Sequence, residues 1–229
     1  MSATPAAPCL LHALNLVKTH PGAEKPAVDH LNMHLEQGEF LSILGRSGSG
    51  KSTLLHILSS LILPDAGKVL FQGRDICAAP DNERNHLRRR DFAVVFQQHH
   101  LLPYLSALEN VLLPFLRGLS PITAQEQDNA RRMLEKVGLS GKENSLPGRL
   151  SGGEQQRVAI ARALARGARI LFADEPTGSL DSVTGTSIIQ LLRDLNREGL
   201  SIIMVTHNPE FASWTSRSIT MGDGRTLQG

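Results

Sequence analysis

Eight residues, GRSGSGKS from Gly45 to Ser52, carry the sharpest chemical signal in this 229-residue chain. They follow the apolar run FLSIL and precede TLLHIL, so the pattern Gly-x-x-x-x-Gly-Lys-Ser sits between a strand and a helix, the context in which it binds phosphate. Backbone N–H groups of Gly45, Arg46, Ser47, Gly48, Ser49 and Gly50 would wrap a β-phosphate, and the helix N-terminus adds its positive end. Lys51 would reach the β- and γ-phosphates, the Ser52 hydroxyl would ligate Mg2+, and Thr53 falls near the α-phosphate. The loop predicts nucleotide binding and leaves kinase, GTPase and ATPase open.

A second group lies in ILFADEPTGSLD. Four apolar residues leading to Asp174 describe a buried strand that delivers a carboxylate to the crevice where open α/β sheets bind ligands, a place from which to hold magnesium. Glu175 follows directly, and strand alternation would turn it away from the metal and toward an attacking water, as general base. The run SIIMVTH, Ser201 to His207, reads as another core strand, so His207 points at the same crevice and can contact a γ-phosphate and orient water. His99 and His100 read as polar residues on a partner-facing surface and not as a metal site, because adjacent residues rarely face one ion and no third ligand is evident.

The third group is LSGGEQQRVAIARAL, residues 150 to 164. Ser151 and Glu154 form a capping box, which predicts only a helix start. Between them stand Gly152 and Gly153, and glycine costs about 1 kcal/mol against alanine in a helix, so bare N–H groups and a close neighbour are expected there. An anion suits such an end, but the phosphates already have Lys51. A second copy packed head to tail would bring the Ser151 end of one chain over the nucleotide on Lys51 of the other, giving two shared sites by two-fold symmetry.

The elements that must position these groups can be read in outline. Short apolar runs between turn signals from Leu10 to about Phe96, such as GEFLSILG, GKVLFQG and FAVVFQ, predict strands. The section from about Leu101 to Arg166 reads mainly helical, with one helix opened by a Thr123–Glu126 capping box, striped by Ala130, Met133, Leu134 and Val137, and ended at Gly138. Strand Ile170–Asp174, a helix with Ile188, Ile189, Leu192 and Leu195 on one face ending at Gly199, and strand Ser201–His207 make a parallel α/β pattern. A helical insert in an α/β core results.

Composition narrows the class. With 41% hydrophobic and 20% charged residues the chain can bury a sizeable core, and 24 basic against 22 acidic residues give no electrostatic case for nucleic acid or a membrane surface. Cys9 and Cys77 offer no disulfide or metal framework and fit a reducing cytosol. The stretch MSATPAAPC, lacking a basic start and an apolar run, reads as a flexible tail and not as a signal peptide. The longest apolar stretch, Leu54 to Pro64, falls far short of the ~20 residues that cross a bilayer, so other chains would supply any membrane span.

In the order of phosphate loop, glutamine, LSGGEQQ, LFADEPTGSLD and VTH, the chain resembles the ABC ATPases over essentially Leu10 to Gly229. The resemblance implies a P-loop NTPase (RecA-like) α/β core with an antiparallel β subdomain and an inserted α-helical subdomain. That is one domain over 1–229, with a tail at 1–9, core at 10–97 and 167–229, and helical subdomain at 98–166. It implies ATP and Mg2+ as ligands, Gln97 as the residue that senses magnesium and water and couples to a transmembrane partner, and the loop Ser179–Asp181 as one that speaks across a homodimer, with Asp181 near the nucleotide. Integral membrane permease subunits would contact the helical subdomain near Gln97, placing the protein peripherally on the cytoplasmic face of the membrane; no nucleic acid is expected. Within the family, HHLLPYLSALENVLLP and PTGSLD resemble the lipoprotein-release and macrolide-export branch, whose partners act by mechanical transmission.

Three departures from the family pattern stand out. His20, in VKTH, stands where a tyrosine usually stacks on adenine, and either stacking or a plain turn role suits it. Ser59 and Ser60 stand where glycines are common, and Asn208 where aspartate often follows the histidine. Two rival functions remain: a soluble ABC ATPase acting on nucleic acid or ribosomes, though such proteins usually carry two cassettes or long coiled-coil insertions absent here, and a regulatory ATP-binding module that tethers envelope proteins.

Overall fold

Five strands pair in parallel in the order β9 (Arg217–Gly222), β3 (Phe40–Leu44), β8 (Ser201–Thr206), β7 (Ile170–Asp174), β6 (Phe92–Val95), and β10 (Arg225–Leu227) adds an antiparallel edge beside β9. A separate antiparallel sheet runs β2 (Val28–Glu36), β1 (Cys9–Lys18), β4 (Ala66–Phe71), β5 (Arg74–Asp75). This is a computed structural model, and it describes residues 9–118 and 120–227. Of the nine-residue tail expected from the sequence, Cys9 already belongs to β1, and the other eight residues lie outside the described residues.

Both faces of the parallel sheet are covered, which is why β7 and β8 read as unbroken apolar runs. Ile170, Phe172, Ile203 and Val205 join the core shared with α1 (Lys51–Leu58) and the antiparallel sheet. Leu171, Ala173, Ile202 and Met204 join the opposite core, built with α5 (Gly152–Leu164) and α6 (Ser182–Arg197). Period-two alternation therefore assigns Asp174, two residues beyond Phe172, to the α1 side.

The inserted section holds α3 (Ala107–Leu112) and α4 (Ala124–Lys136), packed on each other and on α5. Each of the three helices opens with a capping box: Ser106–Glu109, Thr123–Glu126 and Ser151–Glu154. Gly138 ends α4 at φ 77°, a left-handed turn that costs glycine nothing. One helix departs from the sequence reading. The charged stretch before β6 is α2 (Asp81–Arg90), which buries no residue and so shows no apolar stripe; acids in its first turn and arginines in its last match the helix dipole. Ser60 takes φ 61°, a backbone that explains why glycine is common there, and its hydroxyl accepts from Arg88 at 3.2 Å. Among the described residues no helix is long and apolar enough to cross a membrane.

Helical structure in the insert starts at Ala107 and not at Leu101, and the irregular segment before it is fastened by one side chain. Asn110 is fully buried; its Oδ1 accepts from Leu102 N–H at 2.8 Å, while its Nδ2 donates to the carbonyls of Leu102, Leu105 and Ser106 at 3.2, 2.9 and 3.0 Å. Replacing it with alanine leaves buried backbone groups without partners, a loss of about 1–3 kcal/mol for such a group. Asn110→Ala is expected to lower the free energy of urea unfolding by about 2–3 kcal/mol, and a change under about 0.5 kcal/mol would refute this role.

Candidate nucleotide site

Register brings the chemistry together. Leu44 pairs with Thr206 and Asp174 with Val205, so β3, β7 and β8 end within one residue of one another and release the phosphate loop, Glu175 and His207 at one edge of the sheet. His207 lies one residue beyond β8, which stops at Thr206 and not at the histidine as the sequence pattern suggests.

The loop after β3 is built for a close anion. Gly48 and Gly50 have φ of 79° and 94°, and a Cβ on Gly50 would overlap the Ala27 carbonyl, so only glycine fits. Lys51, the first residue of α1, is 4% exposed, and its ammonium donates to the Arg46 carbonyl at 2.8 Å. No carboxylate pairs with it among the described residues, and the Ser49 hydroxyl is likewise buried with no hydrogen-bond partner. A buried cation beside an orphaned hydroxyl and positive-φ glycines fits a phosphate chain. One residue on, Ser52 Oγ donates to Asp174 Oδ1 at 2.9 Å. A hydroxyl and a carboxylate at one point form an all-oxygen donor set suited to Mg2+. Burial pushes the Asp174 carboxyl up from the usual range, opposed by the Ser52 hydrogen bond and by His56.

His56, whose Nε2 lies 3.6 Å from Asp174 Oδ2, is absent from the sequence-level site; its spacing of four from Ser52, which puts both on one helix face, was the available signal. Thr53 accepts or donates to His20 Nε2 at 2.9 Å, so His20 stands beside the start of α1, where the resemblance puts an adenine-stacking residue.

Glu175 departs from the expected geometry. Strand alternation does not place it, because β7 ends at Asp174 and Glu175 turns left-handed at φ 45°, with its N–H donating to Val205 O at 3.1 Å. A non-glycine residue in that region is strained and is commonly found at active sites. The turn aims its carboxylate at His207, whose Nδ1–H donates to Oε2 at 3.1 Å. The two residues assigned to water activation are thus in direct contact.

Gln97, just beyond β6, lies over Gly178: a Cβ there would come within 2.7 Å of its Nε2, and the Ser179 hydroxyl donates to its carbonyl at 3.5 Å. No hydrogen bond joins it to Ser52 or Asp174 among the described residues, so its placement is on the loop after Glu175. Asp181, in that loop, caps α6 by accepting from Thr184 N–H at 3.0 Å and Oγ1 at 2.6 Å, and the Thr184 hydroxyl holds its carboxyl below the usual range. Ser151 caps α5 as the sequence predicts, accepting from Glu154 N–H at 3.3 Å.

The signature glycines have close neighbours in their own chain. A Cβ on Gly153 would collide with the Thr184 methyl, and one on Gly152 would reach 3.2 Å from Leu180. His99, assigned to a partner-facing surface, instead donates from Nε2 to the Gly152 carbonyl at 2.9 Å, a contact no spacing rule signals. No group of three metal-ligating side chains forms among the described residues.

Comparison with known proteins agrees with this geometry. A family model described as ABC transporter matches residues 28–178. An uncharacterised ABC transporter ATP-binding protein of Methanocaldococcus jannaschii, MJ1508, is 43% identical over 96% of this chain and 98% of its own. The macrolide export ATP-binding/permease protein MacB of Chromobacterium violaceum is 44% identical over 90% of this chain and 32% of its own length, so the chain spans about a third of such relatives. Among solved structures, the dimeric ABC transporter cassette MJ0796 superposes with a TM-score of 0.85 at 41% identity, covering 96% of this chain and 97% of that one. The same cassette in a post-hydrolysis state bound to ADP and Pi superposes equally well, at 0.85 and 40% identity over 96% and 97%. With the family model matched over residues 28–178 and relatives above 40% identical along nearly the whole chain, the chain belongs to the ABC transporter family, as one of its ATP-binding ATPase cassettes.

Proposed function

We propose that this chain hydrolyses ATP at the interface of a head-to-tail homodimer and that the opening and closing of the dimer drives separate membrane subunits, in the manner of the lipoprotein-release and macrolide-export branch. The observation that carries the reading is the Glu175–His207 pair standing at the same sheet edge as Lys51, Ser52 and Asp174.

In this reading Lys51 and the loop N–H groups of Gly45 to Ser52 bind the β- and γ-phosphates, and His20 borders the nucleoside end beside Thr53. Ser52 and Asp174 would hold Mg2+, which would neutralise charge on the phosphate oxygens. Glu175 accepts the proton of the attacking water, and His207, donating to its Oε2, holds that carboxylate in position. The Ser151 end of α5 in the second copy brings the N–H groups of Gly152 and Gly153 to the γ-phosphate. Catalysis is positioning plus electrostatic stabilisation, with no covalent intermediate on the protein.

The partner surface lies beyond Gln97. Leu102, Tyr104 and Leu116 are 48%, 91% and 57% exposed, an apolar display unusual for a surface that meets only water. Beside it a groove collects Arg88, Arg89, Arg117, Arg162 and Arg166. Membrane permease subunits docked here from the cytoplasmic side would receive the movement of the helical insert.

Glu175→Gln is expected to keep ATP affinity and to cut hydrolysis by about 10²–10⁴-fold, leaving an ATP-bound dimer on gel filtration; wild-type turnover in this variant removes Glu175 as the base. Ser151→Arg places a bulky cation at the shared interface. It should abolish ATP-driven dimerisation while monomer affinity for a fluorescent ATP analogue stays within about twofold, and dimerisation at the wild-type protein concentration would sink the shared-site reading.

A further inference from the structure

Three segments that serve different parts of the site touch one another in a closed ring. The Gln97 side chain lies on Gly178, in the loop that follows Glu175. That loop continues to Leu180, which packs on Gly152, and to Thr184, whose methyl fills the space over Gly153 and whose N–H and hydroxyl are fixed by Asp181. The α5 start then returns to the Gln97 segment through His99, which donates to the Gly152 carbonyl at 2.9 Å. Farther along α5, Arg162 grips the same segment, donating to the carbonyls of His99 and His100 at 2.8 and 2.7 Å.

The ring has a mechanical consequence. Two glycines at a helix start have more backbone freedom than any other pair, and the shared site needs their N–H groups in one conformation. Thr184 and Leu180 restrict them from one side by contact, but contact alone leaves the peptide planes free to turn. His99 supplies the one directional bond from outside α5 to the Gly152 peptide among the described residues. Burial holds the His99 imidazole pKa below its ordinary value, so the ring stays neutral and carries a single N–H.

We infer that His99 is a positioning residue that fixes the Gly152–Gly153 turn and ties it to Gln97 and the 178–181 loop of the same chain, so that the state of a chain's own nucleotide site sets the half-site it offers to its partner. This rests on the head-to-tail dimer for its functional weight, but the positioning itself is a property of one chain. One hydrogen bond lost per site is worth about fivefold in population of the competent turn. A symmetric dimer uses the turn twice, so its dissociation constant should rise about 25-fold.

Two measurements test this on the full chain. In nucleotide-free monomer, His99→Ala should speed hydrogen exchange of the amides from Gly152 to Gln156 by about fivefold. His99→Gln, whose Nε2 can donate to the same carbonyl, should exchange like wild type and keep its melting temperature, while His99→Ala should melt no more than about 4 °C lower, the loss of one hydrogen bond. Unchanged exchange in His99→Ala, or failure of His99→Gln to restore it, overturns the inference. In the Glu175→Gln background at saturating ATP, adding His99→Ala should weaken dimerisation about 25-fold with the monomer's affinity for ATP within about twofold, and adding His99→Gln should recover it. An equal dimerisation constant overturns the coupling to the partner half-site. If Glu175→Gln alone forms no ATP-bound dimer, the dimer reading has failed, and the exchange experiment still decides the role of His99.

Discussion

Parallel pairing of β8 between β3 and β7, in a register that ends all three strands within one residue of one another, is the constraint on which everything else in this molecule depends. Leu44, Asp174 and Thr206 are the last residues of their strands, and each hands the chain over to chemistry: a phosphate loop after the first, a strained glutamate after the second, a histidine after the third. The strands are held in that register by apolar side chains packed on both faces, so the precision of the site is borrowed from two hydrophobic cores. A slip of one residue in β7 would move Asp174 to the face away from Ser52 and break the 2.9 Å contact between the two side chains.

Much of this was legible in the sequence because the signals were local. The phosphate loop, the capping boxes at Thr123 and Ser151, the αL stop at Gly138 and the buried runs of β7 and β8 each rest on a few neighbouring residues and a short-range rule. The Ser106–Glu109 box was equally readable. Helix α2 was not, because a helix that buries nothing carries no 3.6-residue apolar period, and dipole-matched charges are a weaker signal. Glu175 shows the limit of pattern reasoning at a site: alternation assumes a continuing strand, and the chain turns left-handed at that residue. Long-range contacts such as His99 with Gly152, 53 positions apart, leave no trace in a single sequence.

The glycines of LSGGEQQ have two reasons to be glycines, and they act on different surfaces. In the proposed dimer they would present backbone N–H groups to the second copy; toward their own chain they make room for Thr184 and Leu180. Sequence reasoning found the demand for a close neighbour and assigned it to the partner's phosphate alone. The structure adds a neighbour inside the chain, one anchored by Asp181 in the loop that follows Glu175.

That packing makes Gly153 and Thr184 a pair with a shared volume. Position 153 can gain a methyl only if position 184 gives one up, and Thr184 cannot give up its methyl for free, since the serine that keeps the Asp181 hydrogen bond is the only common side chain with both the right donor and less bulk. The dependence runs one way: alanine at 153 requires a smaller side chain at 184, and serine there keeps the Asp181 hydrogen bond, whereas glycine at 153 accepts either residue. A sequence divergence that looks like two independent drifts at distant positions would here be a single steric event, read twice.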